Sequence, residues 1–238
     1  MEKKILIHIS QLVTPTGSSA KHGKEMQQVK KIEDAAVFIV DGIIKKVGPT
    51  ADILSEMETE GIDTIDLNGH AVLPGFVDSH THFLFGGYRP EEFMMRLQGI
   101  PYIEIHKKGG GIQNTVQATR SLSEEEMYRL GRKRLMDMLS MGVTAVEGKS
   151  GYGLDRDCEL RQLKVLQALN RDLPVSIAGT YLGAHSIPEE YKGQPDAYLT
   201  FMIREMLPLI RQEKLAEFVD IFCEKGVFTF AQSRRFLQ

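Results

Sequence analysis

The change of pattern at Pro74 constrains the fold of this chain more than any other feature. Before it, short apolar runs sit back to back around Asp-Gly and Asn-Gly pairs. After it, apolar runs alternate with helical stretches, the signature of βα units and a parallel sheet. In the first region Ile5 to Val13 is rich in β-branched residues, and Thr14 to Lys31 is polar and reads as loop. The runs Ala35 to Val40 and Ile43 to Val47 flank Asp41-Gly42, a pair that accepts the positive φ values of a type I′ hairpin turn. Thr64 to Leu67 and Ala71 to Pro74 flank Asn68-Gly69 in the same way. A second strand pair is therefore expected, and the whole region reads as a small antiparallel sheet.

Beyond Pro74 the strand candidates are Gly75–His80, Val143–Glu147, Val175–Leu182 and Glu217–Phe222. Ser123, with Glu126 three residues on, has the form of a capping box and opens a helix to about Met141, closed by Gly142. Asp157 to Asn170 carries Leu160, Leu163, Val165, Leu166 and Leu169 as a helical stripe. Asp196 to Gln212 is similar, although Pro208 must kink or end it. A further helix is expected from near Ser233. The fold class is thus α/β, with about four βα units.

Composition narrows the partners. With 29 Lys+Arg against 32 Asp+Glu the net charge is −3, which shows no basic excess for a nucleic-acid surface. Hydrophobic residues at 42% and charged residues at 26% are ordinary globular usage, which excludes a disordered tail. Cys158 and Cys223 form no CxxC unit, which argues against a disulfide framework or zinc knuckle and fits a reducing compartment. Lys3-Lys4 before Ile5-Leu6-Ile7 imitates a signal peptide, but His8 breaks the apolar run at once. No run approaches the roughly 18 apolar residues of a spanning helix. A cytoplasmic location is expected, with no nucleic-acid or membrane partner.

The densest chemistry is Val77-Asp78-Ser79-His80-Thr81-His82. Residues two apart in a strand point to one side, so His80 and His82 can converge on one metal ion, zinc or iron. Two histidines also make an ordinary polar strand end. Their placement decides for the metal, because active sites gather at the C-terminal ends of parallel strands. Gly148-Lys149-Ser150 invites a phosphate-loop reading that fails. Five residues stand between Gly142 and Gly148 where four are needed, and those five are the strand itself. Lys149 is then read as a solvated loop lysine. Tyr152, between glycines, is as much a ligand contact as a plain turn aromatic. His185 ends the third parallel strand, equivalent in position to the histidine pair. Arg89, beyond Gly86-Gly87, could clamp a carboxylate bidentately, though spacing alone favours an exposed loop arginine. Gly109-Gly110-Gly111 is a flexible loop, Met94-Met95 and Met136/Met138 read as packing, and Lys225 near Cys223 is weak support for a bridging lysine.

Taken together these residues carry a pattern. Leu73-Pro74-Gly75-Phe76-Val77-Asp78-Ser79-His80-Thr81-His82 resembles the opening of an amidohydrolase-superfamily barrel, and Val40 to Ile44 resembles that family's small β-sandwich. Phe85-Gly86-Gly87-x-Arg89, Leu97-Gln98-Gly99-Ile100-x-Tyr102, Gly109-Gly110-Gly111-Ile112, Lys149 to Leu154, Gly183-Ala184-His185 and the tail Val227-Phe228-Thr229 with Gln232 to Arg235 are, as a set, similar to the imidazolonepropionases. The resemblance runs in order from about residue 33 to the end. It implies hydrolysis of 4-imidazolone-5-propanoate to N-formimidoyl-L-glutamate in histidine degradation, with one zinc or iron ion. Under it His80 and His82 are metal ligands. Arg89, Tyr152 and His185 contact substrate, and His185 also stabilises the oxyanion or polarises the carbonyl attacked by a metal-activated water.

The resemblance also implies parts not found in these residues. The family's other metal ligands, a His and an Asp, come from the fifth and eighth barrel strands, and its water-activating acid follows strand five. The expectation is therefore an incomplete TIM-type (β/α)8 barrel over 74–238, preceded by part of a small β-sandwich over 1–73. Such a chain looks truncated and inactive alone, since eight strands close a barrel. Two rival readings stand beside it, another cyclic-amidase or aminohydrolase of the superfamily and a noncatalytic fragment. Association into a homodimer is left open.

Overall fold

The computed structural model describes residues 1–58, 60–101 and 111–238, so Tyr102, Gly109 and Gly110 of the motifs above lie outside the described residues. The chain divides into two compact units, Met1–Pro74 and Gly75–Gln238. No helix among the described residues is long and apolar enough to cross a membrane.

The first unit is a four-stranded sheet of β1 (Lys3–Pro15), β2 (Val29–Val40), β3 (Ile43–Pro49) and β4 (Asp63–Asp66), in the order β3-β2-β1-β4. Helix α1 (Thr50–Ser55) follows β3. The β2–β3 hairpin turns on Asp41 and Gly42, both at positive φ (48° and 77°), as the type I′ turn requires. A register shift between Leu6 and Ile9 coincides with His8 at φ 54°. It breaks the period of two, so Ile5 joins the Ala36–Ile53 cluster on one face while Ile9 joins Leu12, Ala35 and Val37 on the other.

The second hairpin expected here does not form. The Asn68-Gly69 turn exists (φ 48° and 79°), but the runs on either side of it both follow β1 in parallel, Lys4 opposite Asp63 and Leu12 opposite Val72. The turn steps the chain along the strand, with Leu67 N bonded to Ile7 O at 3.0 Å and Gly69 N to His8 O at 2.9 Å. The physical reason is the unpaired edge of β1, whose amides and carbonyls these residues satisfy. The sheet is mixed rather than antiparallel.

The second unit is built on β5 (Phe76–Thr81), β6 (Val143–Lys149), β7 (Ser176–Ala184) and β8 (Phe218–Ile221), paired in sequence order and all parallel. Helices α2 (Pro90–Leu97), α3 (Ile112–Arg120) and α4 (Glu124–Ser140) lie between β5 and β6, and α5 (Arg156–Asp172) between β6 and β7. Next come α6 (Pro195–Phe201) and α7 (Leu207–Glu213), then α8 (Phe230–Leu237) after β8. The α5 stripe buries Leu163, Val165, Leu166 and Leu169 with Val146 and Ile177 of the sheet. Pro208 does not end the helical run, which continues to Glu213; a π-helical turn over Met202–Met206 joins α6 to α7 just before the proline. The last helix starts earlier than expected, because Thr229 and Gln232 form its capping box. On the other face, Val77 and Phe218 are 68% and 55% exposed around an open groove lined also by Ala145 and Ala178. This is the α/β architecture the sequence implies, a partial barrel of four βα units.

Ser123 caps α4 in the expected way, its hydroxyl accepting Glu126 N at 3.2 Å while Glu126 accepts Ser123 N at 2.9 Å. Replacing Ser123 by alanine is expected to cost about 1 kcal/mol, read as a lower urea midpoint at unchanged slope. Ser123→Asp, which keeps an acceptor at the cap, should recover most of that loss.

Candidate active site

The segment after β5 is tied down on both sides. Phe83 and Leu84 are buried, and Leu84 packs where Gly131 of α4 leaves no room for a Cβ. Arg134 of the same helix donates to the carbonyls of Phe83 (2.7 Å) and Phe85 (2.9 Å), with its guanidinium 3.8 Å from the Phe85 ring centre. Gln162 of α5 donates to Leu84 O at 2.9 Å. A register shift between Asp78 and Thr81 re-aims the end of β5.

On this support four predicted residues meet. The ring centres of His80 and His82 are 5.6 Å apart with planes 59° apart. Two imidazoles sharing one tetrahedral ion at bonds of about 2.0–2.1 Å would have centres about 5 Å apart, so the pair fits. His185 stacks on His82 at 4.6 Å and 12°, and Tyr152 lies 5.3 Å from each of these rings. The in-plane lone pairs of two stacked, nearly parallel rings lie in separate, nearly parallel planes. An ion in the plane of the His82 ring is therefore out of the plane of the His185 ring, whereas the tilted His80 and His82 planes can meet at one ion.

Electrostatics agree. Burial, then the nearby charges of His185, His80 and Lys149, push the His82 imidazole down to about 3. It is neutral at ordinary pH, the form in which histidine binds metal. Its Nδ1 is buried without a hydrogen-bond partner among the described residues, an atom a cation would satisfy. Burial also lowers the His185 pKa against the opposing pull of Gly151. Among the described residues no group of three or more His, Cys, Asp or Glu could hold a metal. Two donors are half of a tetrahedral set.

Arg89 is not part of this ring cluster. It stands at the start of α2, and its Nη1 is 3.2 Å from Glu92, whose other oxygen accepts Gly111 N at 2.8 Å. Lys225 belongs to the β8–α8 loop and Cys223 is an exposed free thiol, while Cys158 is buried in α5.

Lys149 is not a solvated loop lysine. It is 4% exposed at the end of β6, its Nζ 2.8 Å from Glu147 and 2.9 Å from Asp220, and Thr180 donates to Glu147 at 2.6 Å. Burial opposes its charge, but the bonds to Glu147 and Asp220 prevail and raise its pKa. One face of β6, β7 and β8 is thereby clamped beside the histidines. The sequence signal was present, since Glu147 and Lys149 alternate within an apolar strand and must share a side.

Glu159 was also missed. It is 1% exposed in the first turn of α5 and accepts the backbone N–H groups of Gly151, Gly153 and Leu154. Burial pushes its carboxyl up, against these donors. The turn that presents Tyr152 is wrapped around this carboxylate.

Four parallel strands paired in sequence order and joined through helices make this unit a partial (β/α) barrel, with the three histidines at the ends of its first and third strands. Solved structures share the fold: guanine deaminase from E. coli (TM-score 0.57, 12% identity, 86% of this chain and 43% of that one) and from C. acetobutylicum (TM-score 0.53, 14%, 99% and 49%). No protein-family model matches the chain. Curated imidazolonepropionases do. That of Clostridium tetani is 49% identical over 233 residues, covering 98% of this chain and 56% of the relative. Those of Phocaeicola vulgatus and Bacteroides fragilis are 52% and 50% identical over 240 and 239 residues, each covering all of this chain and 57% of the relative. The chain is a homologue of the imidazolonepropionases. It spans little more than half the length of the curated relatives it matches.

Proposed function

We propose that this chain carries part of the active site of an imidazolonepropionase, which opens the cyclic amide of 4-imidazolone-5-propanoate to N-formimidoyl-L-glutamate in the cytoplasm. The observation that carries the reading is identity near 50% along the whole chain, with the convergence of His80, His82, Tyr152 and His185 in agreement. His80 and His82 would hold one zinc or iron ion. Such an ion supplies Lewis-acid polarisation and lowers the pKa of water.

The other residues bind and orient. Tyr152 and His185 offer ring faces and edges to a planar heterocycle. The Gly151 carbonyl can only accept, so the 3.0 Å contact with His185 places a hydrogen on Nδ1. In the neutral ring Nε2 is then an acceptor, suited to a ring N–H of the substrate. Donation from Nε2 to an oxyanion requires the doubly protonated ring. Arg89 would meet the propanoate through guanidinium nitrogens other than the one engaged by Glu92, or in exchange for that contact.

The test compares this chain with a version extended to the relatives' full length, measuring bound metal and hydrolysis of imidazolone, pyrimidine and triazine substrates. Stoichiometric metal and imidazolone turnover are expected of the longer form alone, and His80→Ala should remove both. A longer form that prefers a pyrimidine or triazine, or full turnover by the 238-residue chain, would overturn the proposal.

A further inference from the structure

We infer that Glu159 is a positioning residue for the His185 imidazole, acting through the turn from Ser150 to Leu154. The inference rests on the reading that His185 faces substrate, but its test does not use turnover.

The turn runs between β6 and α5 with three buried amides pointing inward. Glu159 Oε1 accepts from Gly151 N at 3.1 Å, Gly153 N at 2.8 Å and Leu154 N at 2.9 Å, and Oε2 lies 3.2 Å from Gly151 N. Successive inward amides beside a helix start make a nest of the kind that binds anions. Here the protein's own carboxylate fills it. This explains why Gly148-Lys149-Ser150 followed by Gly-Tyr-Gly imitates a phosphate loop, for the anion such a loop would cradle is already supplied from α5.

The filled nest holds the Ser150–Gly151 and Tyr152–Gly153 peptides, which flank the Gly151–Tyr152 peptide on both sides. Gly151 sits at φ 106° and presses so closely on β7 that an added Cβ would come within 2.6 Å of Leu182 O and 2.9 Å of His185 Cβ. Its carbonyl points at His185 Nδ1, 3.0 Å away. The turn's entry is pinned by Ser150, whose N bonds Thr180 O and whose hydroxyl accepts Leu182 N, both at 3.0 Å. The buried Tyr198 hydroxyl lies 3.1 Å from Leu154 O and 2.9 Å from Gly183 O, at the exit. With both ends anchored, Glu159 determines how the central peptide is rotated. Rotation of that peptide decides whether His185 keeps its hydrogen on Nδ1 and so presents Nε2 as an acceptor.

The experiment is nitrogen-labelled NMR of the His185 side chain in the full chain and in Glu159→Gln, above the ordinary imidazole pKa range. In the parent the Nδ1–H tautomer should dominate. Glutamine retains one acceptor but turns an NH2 group toward the Gly151 amide, so the Ser150–Gly151 peptide should turn and the Gly151–Tyr152 peptide next to it should rotate with it. The tautomer ratio should then fall about fivefold, the weight of one ordinary hydrogen bond. Asp155→Asn serves as control. Asp155 caps the same helix through Cys158 N at 2.7 Å but touches none of the turn amides, and this variant should leave the ratio unchanged. Glu159→Asp, which withdraws the carboxylate by one methylene, carries the test if the glutamine variant does not fold. An unchanged ratio in a folded Glu159 variant, or an equal change in Asp155→Asn, overturns the inference. A shifted ratio alongside a full-length form inactive on imidazolones would support it while removing the proposed function.

Discussion

Replacing Lys149 by methionine is expected to destabilise the chain by about 3 kcal/mol, the lower end of what breaking a buried ion pair costs. Lys149 is the most enclosed member of its cluster, with side-chain exposure of 5% against 21% for Glu147 and 41% for Asp220. Its loss leaves two carboxylates near each other with no cation between them. Water reaching Asp220 softens the penalty, which is why the upper end of the range is not expected. The double variant Lys149→Met with Glu147→Gln should recover most of the loss, since glutamine still offers an acceptor to Thr180 and no longer repels Asp220. Urea midpoints for the two single variants and the double give the coupling directly. A cost below about 1 kcal/mol for Lys149→Met would mean the cluster behaves as a surface pair and does not clamp the strand ends.

That clamp also marks the limit of what the sequence made legible. Features set by neighbours along the chain read correctly, namely the Asp41-Gly42 turn, the Ser123 cap and the α5 stripe. Each depends on backbone preferences or side-chain bonds within a few residues. For Lys149 only half of the environment is local: Glu147, two residues before it, is legible on the same side of the strand, whereas Asp220, 71 residues away, arrives through a strand pairing no local pattern encodes. The pairing of residues 64–74 failed for the same reason, since β1 and not the nearby turn determined where they bond. Glu159 differs, because its partners begin eight residues before it. An acid in the first turn of a helix that follows Gly-x-Gly is a local signal, because the carboxylate is within reach of the amides the glycines turn inward. Among the proposed site residues, His80, His82, Tyr152 and His185 share one cluster because β5, β6 and β7 are adjacent in a parallel sheet. Arg89 lies beyond a long connection, where spacing says nothing about which carboxylate it meets first.

The largest pH effect is expected from His82. Its folded-state pKa lies near 3 against 6.5 for an unperturbed histidine. Above the unfolded value the ring is neutral in both states and the stability is fully present. As pH falls through that value toward the folded one, the unfolded chain takes up a proton that the folded chain refuses, so stability is lost at up to about 1.4 kcal/mol per pH unit. Across the whole window the loss is on the order of 5 kcal/mol, somewhat less for the part of the ring that water still reaches. The cause is burial first and the stacked His185 second. Because the His185 pKa is lowered too, both rings act in the same direction, and charging one resists charging the other. Chelator-treated protein should therefore lose stability steeply between the two pKa values. His82→Gln, neutral at every pH, should flatten most of that slope and leave only the His185 share and the acid-range carboxylates. Equal slopes for parent and variant would show that His82 is not held neutral in the fold. In the form extended to the relatives' full length, added zinc sharpens the distinction, since it competes with protons for the same imidazoles. Its stabilisation should shrink as pH falls and vanish in His82→Gln.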